Sequence, residues 1–264
     1  MSDEIVVDDD AGPDVDRDAV LEADLDVDRE VRRLSRRGFI TFGAAAAAGF
    51  GAYKWLRTRP RDGGLEWPLR GALVANESVA QAYYSAARLS PNFRAADVTR
   101  PRVNGHLGLV EHVDADAWRL QIAGAASPVA LTLAAIRALP AHEMITELRC
   151  IEGWSTINRW KGARLRDVME RFPPPAAVKY LAMETANRGY YIGLDIESAL
   201  HPQTLLVYEM NGAPLDWHHG APLRLAIPIK YGIKNIKALA TMRYTNIRPP
   251  DFWAERGYDW YAGH

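Results

Sequence analysis

A single thiol stands out among the groups able to do chemistry: Cys150, in the run Glu147-Leu148-Arg149-Cys150-Ile151-Glu152-Gly153-Trp154-Ser155. One cysteine excludes an intrachain disulfide and excludes zinc sites made of paired cysteines. A lone cysteine is commonly a small buried hydrophobe. Its thiolate is also a soft ligand suited to transition metals, although the residue alone names no metal. Placed where a strand gives way to a loop, with Arg149 beside it, the sulfur would be accessible and biased toward the thiolate.

A second constellation is Asp216-Trp217-His218-His219-Gly220-Ala221-Pro222-Leu223-Arg224, followed by Lys230, Lys234 and Lys237. A turn delivers an imidazole and then a guanidinium, and three ammonium groups follow. Such a set can clamp a phosphate, because arginine offers a planar fork and lysine a point charge; the alternative is a solvated charge run. Neither His218-His219 nor His142-Glu143-Met144-Ile145-Thr146 has the helical two-histidine spacing of a zinc protease. No Gly-x-Gly-x-x-Gly run and no glycine-rich loop ending in Gly-Lys-Ser or Gly-Lys-Thr is present, so nucleotide-cofactor readings lose their usual support.

The elements that must position these groups are mostly strands. Trp118 to Ile122 alternates apolar and polar residues within 112–124. Strands are also expected over 146–151, 178–184, 205–210, 223–227 and 236–245, with Asn211-Gly212 as a hairpin turn. Helices are expected over 131–139, capped by Thr132 and stopped by Pro140, and over 164–172, ended by Pro173-Pro174-Pro175. Strands outnumber helices without regular alternation, which predicts an α+β class rather than a doubly wound parallel sheet.

The chain has 264 residues, 48% hydrophobic, enough for a sizeable core. Its net charge of -1 is unevenly spread: residues 1–34 hold 13 of the 33 acidic residues and 4 of the 32 basic ones. That acidic segment, 1–34, is expected to be disordered. The basic remainder could attract an anionic ligand, a membrane surface or nucleic acid, and charge does not choose among them. Ser35-Arg36-Arg37-Gly38-Phe39-Ile40 leads into the weakly apolar stretch from Gly38 to Tyr53 and resembles a twin-arginine export signal over 35–58. At about 16 apolar residues it is short of the ~20 a membrane-crossing helix needs. Residues 59–97 are expected to be a linker and an irregular lead-in with at most one short helix, and 98–264 the functional domain.

Arg149 to Ser155, Glu184-Thr185, Tyr208 to Gly212, His219 to Arg224 and Lys230-Tyr231-Gly232 together resemble, in order and spacing, the molybdopterin domain of sulfite oxidase-like enzymes. The resemblance spans roughly 98–248 and is strongest to small bacterial members, among them a periplasmic methionine-sulfoxide reductase. It implies a mixed-sheet α+β domain holding molybdenum-molybdopterin, with Cys150 bonded to the metal and Tyr190 near it. It implies cofactor contacts from Asn104, Leu107, Gly108, Thr185, His219 and Arg224, and a grip on the phosphate by Asn235, Ile236 and Lys237. Two departures accompany it: sulfite oxidases carry an arginine near the position of Asn104, and the reductase has asparagine at the position of His219. The implied activity is two-electron oxygen-atom transfer on a small or protein-bound sulfur compound. The direction expected from the resemblance is reduction of S-oxides such as methionine sulfoxide; oxidation of sulfite or a related anion is the alternative, and a metal-free anion-binding envelope protein is the alternative of another class. The expected partner is a separate electron carrier such as a membrane haem protein, with no nucleic acid, at a periplasmic or membrane-associated location.

Overall fold

The computed structural model describes residues 17–109, 111 and 113–264, with side chains described from residue 29 onward except at 31, 110 and 112. Two compact units divide between Arg59 and Pro60. The first carries α1, Arg17–Arg57, a helix of 41 residues. Residues 1–16 of the segment expected to be disordered lie outside the described residues, whereas the part from Arg17 to Leu34 is helical, which corrects that expectation. Its acids and bases recur at helical spacing, as in the Arg33 bond to Glu30 at 2.9 Å, and support a helix locally. Phe39, Phe42 and Phe50 are exposed on it, so it stands on local propensity. The arginine pair and the alanine run lie in this one helix, and no described helix is long and apolar enough to cross a membrane.

The second unit opens with a small hairpin, β1 (Arg61–Asp62) against β2 (Leu65–Glu66), and then α2, Trp67–Tyr83. The lead-in is therefore ordered and carries a 17-residue helix where at most a short one was expected. Its apolar stripe was masked by Glu77, a residue that reads as solvent-facing but is buried at 5% exposure. The Glu77 carboxylate accepts from Arg248 at 2.6 Å and from Gln81 at 3.1 Å, which satisfies it.

Two five-stranded sheets follow. The elements in chain order are β3 (Arg119–Ala123), β4 (Val129–Thr132), α3 (Leu133–Arg137), β5 (Ala141–Arg149), β6 (Ser155–Arg164), α4 (Leu165–Arg171), β7 (Tyr180–Thr185), β8 (Tyr191–Asp195), α5 (Ile196–Ala199), β9 (Leu205–Met210), β10 (Ala213–Pro214), β11 (Arg224–Ala226) and β12 (Leu239–Thr245). The first sheet is antiparallel in the order β10, β9, β6, β5, with β11 also on β9. The second runs β4, β3, β12, β7, β8, with β3 and β12 parallel and its other pairs antiparallel, which makes it mixed as the α+β reading required.

Alternation along the strands builds the core. Leu120 and Ile122 of β3, Leu181 and Met183 of β7, Ile192 and Leu194 of β8 and Met242 of β12 pack with Ile136 of α3 and Leu165 and Val168 of α4. Each such buried side chain contributes about 2 kcal/mol. Strand β9 feeds both faces, sending Leu206 and Tyr208 to this core and Leu205, Val207 and Met210 to a second cluster with Met144 and Trp160. That is why its sequence opens on an apolar run, Leu205 to Tyr208, with no alternation. Thr132 caps α3 as expected, accepting from the Ala135 N–H at 3.0 Å. Asn211 and Gly212 make the two-residue turn between β9 and β10 with φ of 53° and 84°. Strand β6 escaped the sequence reading because its inward positions include polar Thr156 and Asn158, both buried.

Candidate active site

Where β5 ends, its period of two sends neighbouring residues to opposite sides. Leu148 and Cys150 line a cavity of about 320 Å³, while Glu147 and Arg149 line a different one of about 240 Å³. Loop 150–154 then turns back into β6: the Cys150 N–H donates to the Trp154 carbonyl at 2.9 Å and the Gly153 N–H to the Cys150 carbonyl at 3.1 Å. Gly153 takes φ of 86°, a left-handed backbone that glycine adopts without strain.

The half-buried Cys150 sulfur sits 3.9 Å from the Asn104 side-chain nitrogen. Burial pushes its thiol up from the ordinary range, against the main-chain N–H groups of Glu152 and Ile151 and the charge of Arg102, which favour the thiolate. The expectation that Arg149 activates the thiol is corrected. Its guanidinium lies on the other side of the strand, 2.8 Å from Glu147 and 3.3 Å from His264. Arg102, over the Trp154 ring at 4.9 Å, is the arginine that acts on the sulfur.

The far wall is cationic. Asp216 accepts from the His219 N–H and so holds the 3-10 turn Trp217–His219, which sends His219 into the cavity and leaves His218 against Trp217. Gly220, at φ of 96°, lets this turn press against the backbone of 237–238, where a Cβ would lie 2.7 Å from the Ala238 nitrogen. Burial lowers the His219 imidazole, which is therefore neutral near pH 7. Arg224, at the start of β11 and 3% exposed, donates to the carbonyls of His219 at 3.1 Å and Asn235 at 3.4 Å. Its Nε has no partner, and burial lowers the guanidinium to about 10. Lys237, lowered to about 8 by burial and then by Arg224, donates to the carbonyls of Asn104, Gly105 and His218. Among the described residues neither cation has a carboxylate within ion-pairing distance. A buried guanidinium with an orphaned N–H and a half-buried ammonium, neither ion-paired to an acid, form a receptor for an anion. A soft sulfur donor opposite completes a donor set that fits a metal carried on a phosphorylated cofactor.

Of the residues expected at the site, the structure brings Asn104, Leu107, Cys150, Tyr190, His219, Arg224, Asn235 and Lys237 to this one cavity. Tyr190, not Tyr191, is the tyrosine on its wall, and its hydroxyl donates to the Ile233 carbonyl at 2.5 Å. Burial holds that phenol far above its ordinary range. Three expected contacts stand behind the wall instead. Thr185 exchanges hydrogen bonds with the Tyr190 backbone, and a Cβ on Gly108 would meet Thr185 and Tyr190 within 2.9 Å, so both act by setting Tyr190. Ile236 is fully buried in the hydrophobic core. Lys230 and Lys234 are corrected as clamp residues: they point away, to Asp195 at 3.4 Å and Asp251 at 2.5 Å. The sequence reading missed Arg102, Glu152, Trp154, Ile233, Trp253 and Tyr258 on the lining. Arg102 supplies an arginine two residues before Asn104, where none had been expected. Among the described residues there is no group of three histidine, cysteine or acidic side chains that could hold a metal ion by themselves.

Comparison with known proteins agrees with this donor set. The model of the oxidoreductase molybdopterin-binding domain matches residues 106–253, more than half of the chain. The YedZ1 subunit of Azospira oryzae is 32% identical over 219 residues, 76% of this chain and 83% of its own. The protein-methionine-sulfoxide reductase catalytic subunit MsrP of Xanthomonas campestris pv. campestris is 37% identical over 152 residues, 52% of this chain and 47% of its own. The Campylobacter jejuni protein of the same name is 28% identical over 209 residues, 72% of this chain and 67% of its own. The alignment therefore spans about half the length of the Xanthomonas relative.

Proposed function

The chain belongs to the oxidoreductase molybdopterin-binding domain family, a molybdenum-molybdopterin oxidoreductase of sulfite oxidase type, and from that premise we propose that it reduces sulfoxides, methionine sulfoxide in proteins among them. When bound, the cofactor supplies two-electron redox chemistry at molybdenum. Cys150 would hold the metal through its sulfur. Arg224 and Lys237 would hold the anionic end of the cofactor by charge, and the neutral His219 would add an uncharged imidazole. A metal-free anion-binding role is set aside by the family.

The observation that carries the substrate reading is the character of the cavity near Cys150. Leu107, Ile151, Trp154, Trp253 and Tyr258 line it, an apolar and aromatic surface suited to a thioether-bearing side chain rather than a fully hydrated anion. The names of the two MsrP relatives support the same substrate. One observation favours a second reading, oxidation of sulfite or a related anion: Arg102 lines the cavity and, among the described residues, makes no ion pair. Molybdenum-loaded protein assayed with methionine sulfoxide and a reduced viologen, and with sulfite and ferricyanide, separates the two. Turnover of sulfite alone would end the sulfoxide reading.

The relatives named as catalytic subunits support a separate electron-transfer partner. We propose a membrane haem protein as that partner. Export through the twin-arginine route is proposed on Arg36-Arg37 and the Ala44–Ala48 run, and cofactor insertion before export would require that route. Replacing both arginines with lysine should leave the protein in the cytoplasm, and unchanged export would refute the signal.

A further inference from the structure

The segment 102–109 carries Arg102, Asn104, Gly105 and Leu107 to the cavity, yet it belongs to no helix or strand. Among the described residues, side-chain hydrogen bonds join it to the rest of the unit at two places. One is the contact from the Asn104 amide to the Cys150 sulfur. The other is Lys237, whose ammonium donates to the Asn104 carbonyl at 3.0 Å and the Gly105 carbonyl at 3.4 Å. The same ammonium donates to the His218 carbonyl at 3.1 Å, so its three N–H groups meet three main-chain acceptors on two separate segments. What Lys237 then offers an anion is charge through space rather than a hydrogen bond.

The base of this strap is itself fixed. The Ala238 N–H donates to the Gly220 carbonyl at 3.2 Å, and Gly220 approaches so closely that a Cβ there would lie 2.6 Å from the Lys237 Cβ. Stacking of His106 on Trp217 at 5.7 Å adds a ring contact between the same two segments. A rigid anchor at 220 and 238, one ammonium, and the Asn104 amide above the sulfur thus lie in series.

We propose that Lys237 is a positioning residue that straps segment 104–105 to the 218–220 turn and so sets the Asn104 amide against the Cys150 sulfur. Its consequence for the metal rests on the reading of Cys150 as the ligand, because N–H donors to a ligating sulfur tune the metal's potential. The strap itself is a property of the polypeptide and can be read without the cofactor.

Lys237→Met keeps the stem and removes the donors, and Lys237→Arg restores donors on a similar stem. Trypsin reports on the segment directly, since Arg102 opens it and is followed by Val103, a bond the protease can cut. In cofactor-free full-length protein, Lys237→Met should raise the rate of cutting after Arg102 by about tenfold or more, the loss of roughly one to two net hydrogen bonds, and Lys237→Arg should recover most of the protection. Loaded with molybdenum, Lys237→Met should shift the Mo(V) electron paramagnetic resonance signal in the same direction as Asn104→Ala, a change that mere loss of an anion ligand would not produce. Unchanged cutting in Lys237→Met, whatever its molybdenum content, would overturn the strap. A parent protein that binds no molybdenum would overturn the ligand reading and leave the proteolysis result standing as the test of the strap.

Discussion

Arg224→Met is the perturbation that separates a binding site from a structural ion. The wild-type guanidinium is 3% exposed and is pushed by burial alone from its ordinary range down to about 10. A shift of that size corresponds to about 3 kcal/mol disfavouring the charged form in the folded chain. Against this stand two hydrogen bonds to carbonyls, at 3.1 and 3.4 Å, and a contact with the Trp160 ring at 4.8 Å. Two bonds from a charged donor and one cation-π contact contribute about 3 kcal/mol in total. In the cofactor-free protein the terms nearly cancel, so the Met variant should unfold within about 1 kcal/mol of the parent. Cofactor retention should behave differently. Removing a buried charge that faces an anion costs about 2 to 5 kcal/mol, a loss of roughly 30-fold to several thousandfold in affinity. Thermal unfolding of cofactor-free protein and molybdenum per chain by mass spectrometry read the two quantities separately. A variant that is strongly destabilised yet retains its molybdenum would show that the guanidinium braces the fold and does not receive the cofactor.

Cys150→Ser should leave the cofactor-free fold within about 1 kcal/mol of the parent, the side chain being half-buried, and should abolish turnover; full activity would remove the sulfur from the mechanism. Lys237, with its folded pKa depressed to about 8, is charged below that value and loses its charge as pH rises through it. Molybdenum retained after dialysis should therefore fall between about pH 7 and about pH 9, while the cofactor-free fold gains stability over about pH 8 to 10 because the unfolded chain then binds more protons. Lys237→Met should show no such step in retention, and a parent with flat retention would refute the assignment. Gly108→Ala places a Cβ 2.5 Å from Thr185 and 2.8 Å from Tyr190 at φ of 71°. It should destabilise the fold by about 1 to 3 kcal/mol, and an unchanged melting temperature would show that this contact can relax.

Much of the fold was legible because its signals are local. The apolar run of β9, the Asn211-Gly212 turn and the Thr132 cap each state their structure within a few residues. Helix α2 and strand β6 escaped for one physical reason, polar side chains at buried positions. Glu77 inside the stripe of α2 is held by Arg248 from far along the chain, and Thr156 and Asn158 on the inner face of β6 hydrogen-bond to each other along the strand. A periodicity argument counts such residues as solvent-facing and breaks the pattern there. Arg149 was misassigned by the converse error. Adjacency in sequence was taken for adjacency in space, whereas a strand sends neighbours to opposite faces.

The same limit governs the cationic clamp. Four basic residues, Arg224, Lys230, Lys234 and Lys237, crowd into fourteen positions, and by type all four suit an anion. All four are driven toward the neutral form by burial. The fold sorts them by what faces each one. Asp195, 35 positions before Lys230, and Asp251, 17 positions after Lys234, neutralise those two ammonium groups inside the protein. Arg224 and Lys237 hydrogen-bond to main-chain carbonyls and pair with no acid, and the carbonyls' partial charges do not cancel a full positive charge. A buried cation matched by an acid is complete within the chain, and one matched by dipoles alone retains attraction for an anion from outside. Because that distinction depends on acids distant in sequence, spacing could locate the basic cluster but could not divide it. It follows that substituting Lys230 or Lys234 should cost stability and leave molybdenum binding to the molecules that remain folded, the reverse of the outcome at Arg224.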